Sequence, residues 1–229
     1  FELAFDLDYL SKRNNKMNQV TDQQIIEILR KEAVPALGCT EPVACALACA
    51  KCKEVLGGVP ERLDVLVSGN IYKNGMGVGI PGTGMVGLPI AAALGAVCGK
   101  SEYGLEVLKE VNVGDNLQRA KDMLGQVTVS LKEDAPDKLY AEALATKGND
   151  RVKVIIAHTH TNIVLVEKNG EEIFKREFRL DTSKPEDKGP ELSVKRIWDF
   201  VHEVDVKDIE FVLQGAEMNK AISAEGLNS

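Results

Sequence analysis

The chain has 229 residues, with 28 Lys or Arg against 35 Asp or Glu and a formal net charge of −7. The two signs are mixed along the sequence, which excludes the basic face of a nucleic-acid binder or a membrane-surface protein. No apolar run reaches the roughly 20 residues that span a bilayer, and the longest, Val86 to Cys98, contains Pro89. Five cysteines, an odd number, with no export leader in Phe1 to Met17, point to a reducing cytoplasm and not to a disulfide framework.

Residues 1–20 read as an N-terminal extension and 21–229 as the folded body. Thr21 to Lys31 has the pattern of an amphipathic helix capped by Thr21, with Ile25, Ile26 and Leu29 on one face. It leads into the turn Val34-Pro35-Ala36-Leu37-Gly38-Cys39-Thr40-Glu41-Pro42. Pro42 suits a first helical position and Thr40 can cap the N–H groups that follow. Cys39 then stands beside the positive end of a helix dipole, a place suited to nucleophilic attack or metal ligation. The helix runs from Pro42 to about Leu56 and stops at Gly57-Gly58.

Leu63, Val65 and Val67 alternate as a strand should, and Ser68-Gly69-Asn70 closes it as a turn. A glycine-rich stretch from Ile71 to Gly87 carries Lys73, Asn74 and Thr83, and an apolar helix follows from Leu88 to Val97. Helices are predicted at Tyr103 to Val111 and, capped by Asp115, from Asp115 to Leu124. The period then changes to that of strands at Val127–Leu131, Leu139–Ala145, Val152–Ala157, Asn162–Glu167 and Glu172–Phe178, with Asn169-Gly170 as a hairpin turn. After a polar loop, Asp181 to Pro190, two helices are predicted at Leu192–Glu203 and Val206–Ala224. Helices, then an antiparallel meander, then helices define an α+β fold with helices packed on an antiparallel or mixed sheet.

Several motifs invite chemistry. Cys45, Cys49 and Cys52 have the CxxxCxxC spacing of a cluster-binding loop, but they fall inside an alanine-rich helical run on one face, as buried small residues do. Cys98 reads as another packed small residue. Gly77 to Gly82 and Gly82 to Gly87 both spell GxGxxG, yet helices stand where the second strand of a dinucleotide fold belongs. His158 and His160 are two apart on an expected strand, a zinc-compatible pair without further ligands nearby, so hydrogen-bonded imidazoles at a strand end are the favoured reading. Ser68, Asn70, Lys73 and Asn74 flank the glycines, and Lys with Asn can hold a carboxylate where glycine lets a ligand approach.

Four blocks, Pro35-Ala36-Leu37-Gly38-Cys39-Thr40-Glu41-Pro42, Ser68-Gly69-Asn70-Ile71-Tyr72-Lys73-Asn74-Gly75, Ile80-Pro81-Gly82-Thr83-Gly84 and His160-Thr161-Asn162-Ile163, together resemble one family in order and spacing. It is the iron–sulfur L-cysteine desulfidase and L-serine dehydratase alpha-chain-like family of UPF0597 type, and the likeness runs from about Thr21 to Asn219. The resemblance implies a serine dehydratase-like fold and a lyase of amino-acid catabolism. Its reaction is β-elimination, L-cysteine to pyruvate, ammonia and sulfide, or L-serine to pyruvate and ammonia. It also implies a 4Fe-4S cluster held by three cysteines, with an open iron as Lewis acid for the leaving group.

Cys39 matches the family's motif cysteine, as cluster ligand or as acid/base. On the same basis Cys39, Thr40, Lys73 and His160 are the expected catalytic residues, and Ser68, Asn70 and Asn74 the expected substrate-binding ones. Family members run to about twice this length, with the other cluster cysteines in a C-terminal half. The expected partners are therefore a small amino acid and a C-terminal half or second subunit bearing those cysteines, with a homodimer left open. The rival reading is a non-catalytic small-molecule-binding or regulatory module that keeps the fold.

Overall fold

The computed structural model describes residues 20–176 and 192–228. The expected extension, the loop from Asp181 to Pro190 and the end of the last strand at Phe178 lie outside the described residues. In chain order the helices are α1 (Asp22–Glu32), α2 (Thr40–Leu56), α3 (Gly69–Gly75), α4 (Leu88–Val97), α5 (Asn116–Met123), α6 (Val194–Glu203), α7 (Val206–Ile209) and α8 (Phe211–Asn228). The strands are β1 (Arg62–Val67), β2 (Gly79–Ile80), β3 (Met85–Val86), β4 (Val127–Leu131), β5 (Tyr140–Lys147), β6 (Asp150–Ala157), β7 (Ile163–Lys168) and β8 (Glu171–Lys175). They form two compact units, one from residues 20–34 and 192–228 and the other from 35–176.

In the smaller unit α1 begins with a capping box. The Gln24 N–H donates to the Thr21 hydroxyl at 3.2 Å, and Gln24 Oε1 accepts from the Thr21 N–H at 2.9 Å. Its apolar face, Ile25 and Ile26, is buried with Val20 and with Phe200 of α6. Arg196 of α6 donates from Nε to the Val20 carbonyl at 2.6 Å and pairs with Asp22.

The larger unit is built on a six-stranded sheet of order β4-β1-β5-β6-β7-β8. Only the β1–β4 pair is parallel, and the run from β5 to β8 is the expected antiparallel meander. The Asn169-Gly170 turn joins β7 to β8 with positive φ at both residues, as a two-residue hairpin of this type requires. Alternation places Leu63, Val65 and Val67 of β1 and Val152, Val154 and Ile156 of β6 in the core. Strand β5 contributes Ala141, Ala143 and Ala145, small enough for α2 to lie close against it.

Helix α2 has no polar side along most of its length: every residue from Pro42 to Ala50 is buried, as is Cys52. It is sandwiched between the sheet and α4. The two helices meet where a side chain is missing, because a Cβ at Gly95 would lie 2.7 Å from Ala46 Cα and closer still to its carbonyl oxygen. Gly57 ends α2 in the left-handed conformation, φ 72°, as expected.

Four local expectations are corrected. Cys39, not Thr40, occupies the cap position of α2, and Pro42 is the third helical residue, where its missing N–H still costs no intrahelical bond. Ser68-Gly69-Asn70 does not turn but starts α3, with Ser68 extended at the cap position. The helix expected at Tyr103 to Val111 is instead a six-residue 3-10 segment, Ser101–Glu106, followed by turns, because Gly104 has φ 53° and breaks the helix. The last helix is interrupted at Glu210, giving α7 and α8.

The α2–α4 contact yields a stability prediction. Gly95→Ala is expected to lower the unfolding free energy by about 3 kcal/mol or more through overpacking. Gly125→Ala, with nothing within 4 Å of the added carbon, is expected to change it by far less. Chemical denaturation of both variants checks the pair.

Candidate active site

The buried body of α2 fixes its N-terminal end, and four other segments of the larger unit gather there. Gly38, with φ 84°, brings the turn before α2 so close to Pro81 that a Cβ would meet Pro81 Cγ at 2.9 Å. Pro81 lies in the β2–β3 hairpin, whose turn is held by the buried Thr83 hydroxyl donating to the Ile80 carbonyl at 2.7 Å. The Leu37 N–H donates to the Leu105 carbonyl at 3.2 Å, tying the same turn to the 3-10 segment. Opposite Gly104 stands Thr161 of the β6–β7 loop, its methyl 3.9 Å from where a Cβ would be.

Helix α3 joins through one hydrogen bond, Asn74 Nδ2 donating to Glu41 Oε1 at 3.2 Å. Burial pushes the His160 pKa below its ordinary value, and the Glu41 charge opposes that shift. Imidazole held low in this way is neutral at pH 7 and can accept a proton. Glu41 thus binds Asn74 of α3, acts on His160 of the β6–β7 loop through its charge, and stands two residues after Cys39.

Of the residues expected to form a site, the fold gathers Cys39 and Thr40 with Asn74 and His160, and Lys73 adjoins Asn74 on α3. Cys39 is exposed and Thr40 and His160 half-buried. Asn70 and Lys73 are exposed on α3. Ser68 has a different place. Its buried hydroxyl donates to the Lys138 carbonyl at 2.6 Å and accepts from the Tyr140 N–H at 3.4 Å, which anchors the start of α3 to the start of β5. Glu41 was not singled out from sequence, where an acid in a first helical turn has the ordinary explanation of a dipole partner.

The expected HxH strand is not formed. Strand β6 ends at Ala157, and residues 158–161 make a tight turn in which the Thr159 N–H returns to the Ala157 carbonyl at 2.9 Å. His158 takes φ 69°, and its Nδ1 lies 2.7 Å from Asp137. Asp137 also accepts from the His158 N–H at 3.1 Å. The two imidazoles therefore do not share a strand face.

The remaining cysteines behave as packed residues. Cys45, Cys49 and Cys52 are completely buried in α2, and Cys98 is buried after α4. Burial raises all four thiols, Cys45 to about 12 and the others upward for the same first reason. Cys52 Sγ donates to the Ala143 carbonyl at 3.5 Å and Cys98 Sγ to Leu94 at 3.3 Å. Among the described residues no three His, Cys, Asp or Glu side chains group to hold a metal ion. These residues do not fit a whole 4Fe-4S site: Cys39 alone offers an accessible sulfur ligand, and the other thiols are committed to the core. The GxGxxG copies are likewise accounted for by the β2–β3 hairpin, with positive φ at Gly82, Gly84 and Gly87.

Fold and site together define an α+β protein with an exposed thiol, a hydrogen-bonded carboxylate and amide, and a half-buried imidazole. By sequence it is 48% identical over 210 residues to a UPF0597 protein of Parabacteroides distasonis, covering 89% of the chain and 48% of that protein. It is 44% identical over 205 residues to one from Aeromonas hydrophila subsp. hydrophila, covering 88% and 46%. A third, from Bacteroides fragilis, is 42% identical over 206 residues, covering 89% and 48%. These relatives carry the name UPF0597, and the chain spans about half the length of the relatives it matches. No family profile and no solved structure matches it. Among the described residues no helix is long and apolar enough to cross a membrane.

The burial pattern predicts thiol reactivity. A water-soluble disulfide reagent is expected to modify Cys39 rapidly in the native chain, and all five cysteines only after unfolding. Cys39→Ser is expected to remove the fast phase, read by absorbance and located by peptide mass spectrometry.

Proposed function

We propose that this chain supplies the substrate-binding half of an iron–sulfur-dependent amino-acid lyase, eliminating sulfide from L-cysteine or water from L-serine. The observation that supports this most is an exposed Cys39 two residues before Glu41, whose carboxylate accepts from Asn74 and whose charge acts on His160. Elimination removes the Cα proton and breaks the Cβ–S or Cβ–O bond, leaving 2-aminoacrylate. Its imine tautomer takes up water to give pyruvate and ammonia.

In this reading Lys73, Asn70 and Asn74 hold the substrate carboxylate, and Ser68 keeps α3 in place beneath them. Thr40 lines the pocket. His160, neutral because it is half-buried, accepts the Cα proton, a role worth about 10²- to 10⁴-fold in rate. Cys39 supplies acid/base chemistry or a single thiolate. A 4Fe-4S cluster would polarise the leaving group, and its remaining ligands belong to protein outside this chain.

The test is sulfide and ammonia release from L-cysteine and L-serine, measured without oxygen on a protein of the relatives' full length. Cys39→Ala is expected to lower turnover by about 10²-fold or more. Full activity in that variant would remove Cys39 from the reaction, and tight amino-acid binding with no turnover by the wild type would favour a binding module.

A further inference from the structure

We propose that Glu41 receives the α-ammonium group of the substrate while Lys73 receives its carboxylate, so that the site recognises an amino acid as a zwitterion. The inference rests on the amino-acid reading above and adds the group that would distinguish an amino acid from its desamino analogue.

Glu41 is half-buried at the start of α2, and its carboxylate is met from α3 by the Asn74 amide. A carboxylate has about four acceptor positions, and Asn74 occupies one. Among the described residues no Lys, Arg or protonated His lies within ion-pair distance of it. Burial holds the His160 pKa below its ordinary value, so its imidazole brings no compensating charge to Glu41 at pH 7. A partly desolvated carboxylate is best compensated by a cation that donates hydrogen bonds, and a substrate ammonium brings three such donors.

The complementary charge stands next to Glu41's own partner. Lys73 precedes Asn74 on α3, is exposed, and has no acidic partner among the described residues. An acid on α2 and a base on α3, the base one residue before the amide that binds the acid, supply the two charges that every α-amino acid carries and that 3-mercaptopropionate lacks in part. The Asn74–Glu41 hydrogen bond then positions the acid and also ties the two helices that carry the clamp.

Anaerobic titration calorimetry with L-cysteine and 3-mercaptopropionate tests this on the wild type, Glu41→Gln and Glu41→Asp. Wild type is expected to prefer L-cysteine by about tenfold or more. Glu41→Gln is expected to lose that preference by weakening L-cysteine alone, and Glu41→Asp to keep part of it. Unchanged L-cysteine affinity in Glu41→Gln, or an equal loss for both ligands, overturns the assignment of Glu41. A wild type that binds neither ligand overturns the amino-acid reading itself, and this inference with it. As an independent check of the geometry, Glu41→Gln is expected to lower the NMR-titrated pKa of His160, because the charge that opposes the burial shift is gone.

Discussion

The contact on which the larger unit depends is the crossing of α2 and α4 at Ala46 and Gly95. With no side chain between them the two backbones touch, and both helices can then bury alanine, cysteine and leucine against the sheet and each other. Neither helix has a strong hydrophobic side and polar side of its own, so neither would be stable apart. Their stability is collective, and it comes from dense packing of small groups in which even one extra carbon has nowhere to go.

The same packing explains how one helix holds thiols of two kinds. Inside, Cys45, Cys49 and Cys52 serve as small apolar groups, and burial makes their ionisation costly. At the cap position the chain leaves the core, and Cys39 meets solvent. A rigid, buried helix with a reactive-type residue at its end is a suitable mount for chemistry, because the end can move only if the core does. Glu41, in the first turn of the helix, carries that rigidity over to α3 through Asn74.

Elements ruled by local chemistry were legible from the sequence. The capping box at Thr21, the Gly57 stop, the Asn169-Gly170 hairpin and the limits of α4 and β4 all rest on residues within a turn of one another. What escaped was set at a distance. Helix α3 is made of weak helix formers such as Gly69, Asn70 and Asn74, and the Ser68 hydroxyl that begins it is spent on Lys138, 70 residues away. His158 leaves the strand conformation where Asp137, from the connection before β5, takes both its N–H and its ring. Of the site, the exposed thiol and the neighbouring Lys73 and Asn74 could be read as candidates. Their meeting through Glu41 could not, because Asn74 and Glu41 are 33 positions apart and each has an ordinary surface explanation.

The place of β1 in the sheet also shapes how the unit is made. It lies between β4 and β5, pairing Leu63 with Val127 on one edge and Arg62 with Thr146 on the other. During synthesis its two open edges therefore wait for some eighty further residues, on the order of ten seconds at ribosomal speed. Through that interval a valine-rich strand and two alanine-rich helices have no sheet to cover them. The meander from β5 to β8 then completes the sheet quickly from neighbouring hairpins. The turn bearing Cys39 is thus among the first parts of the unit to leave the ribosome and among the last to gain the surroundings that orient it.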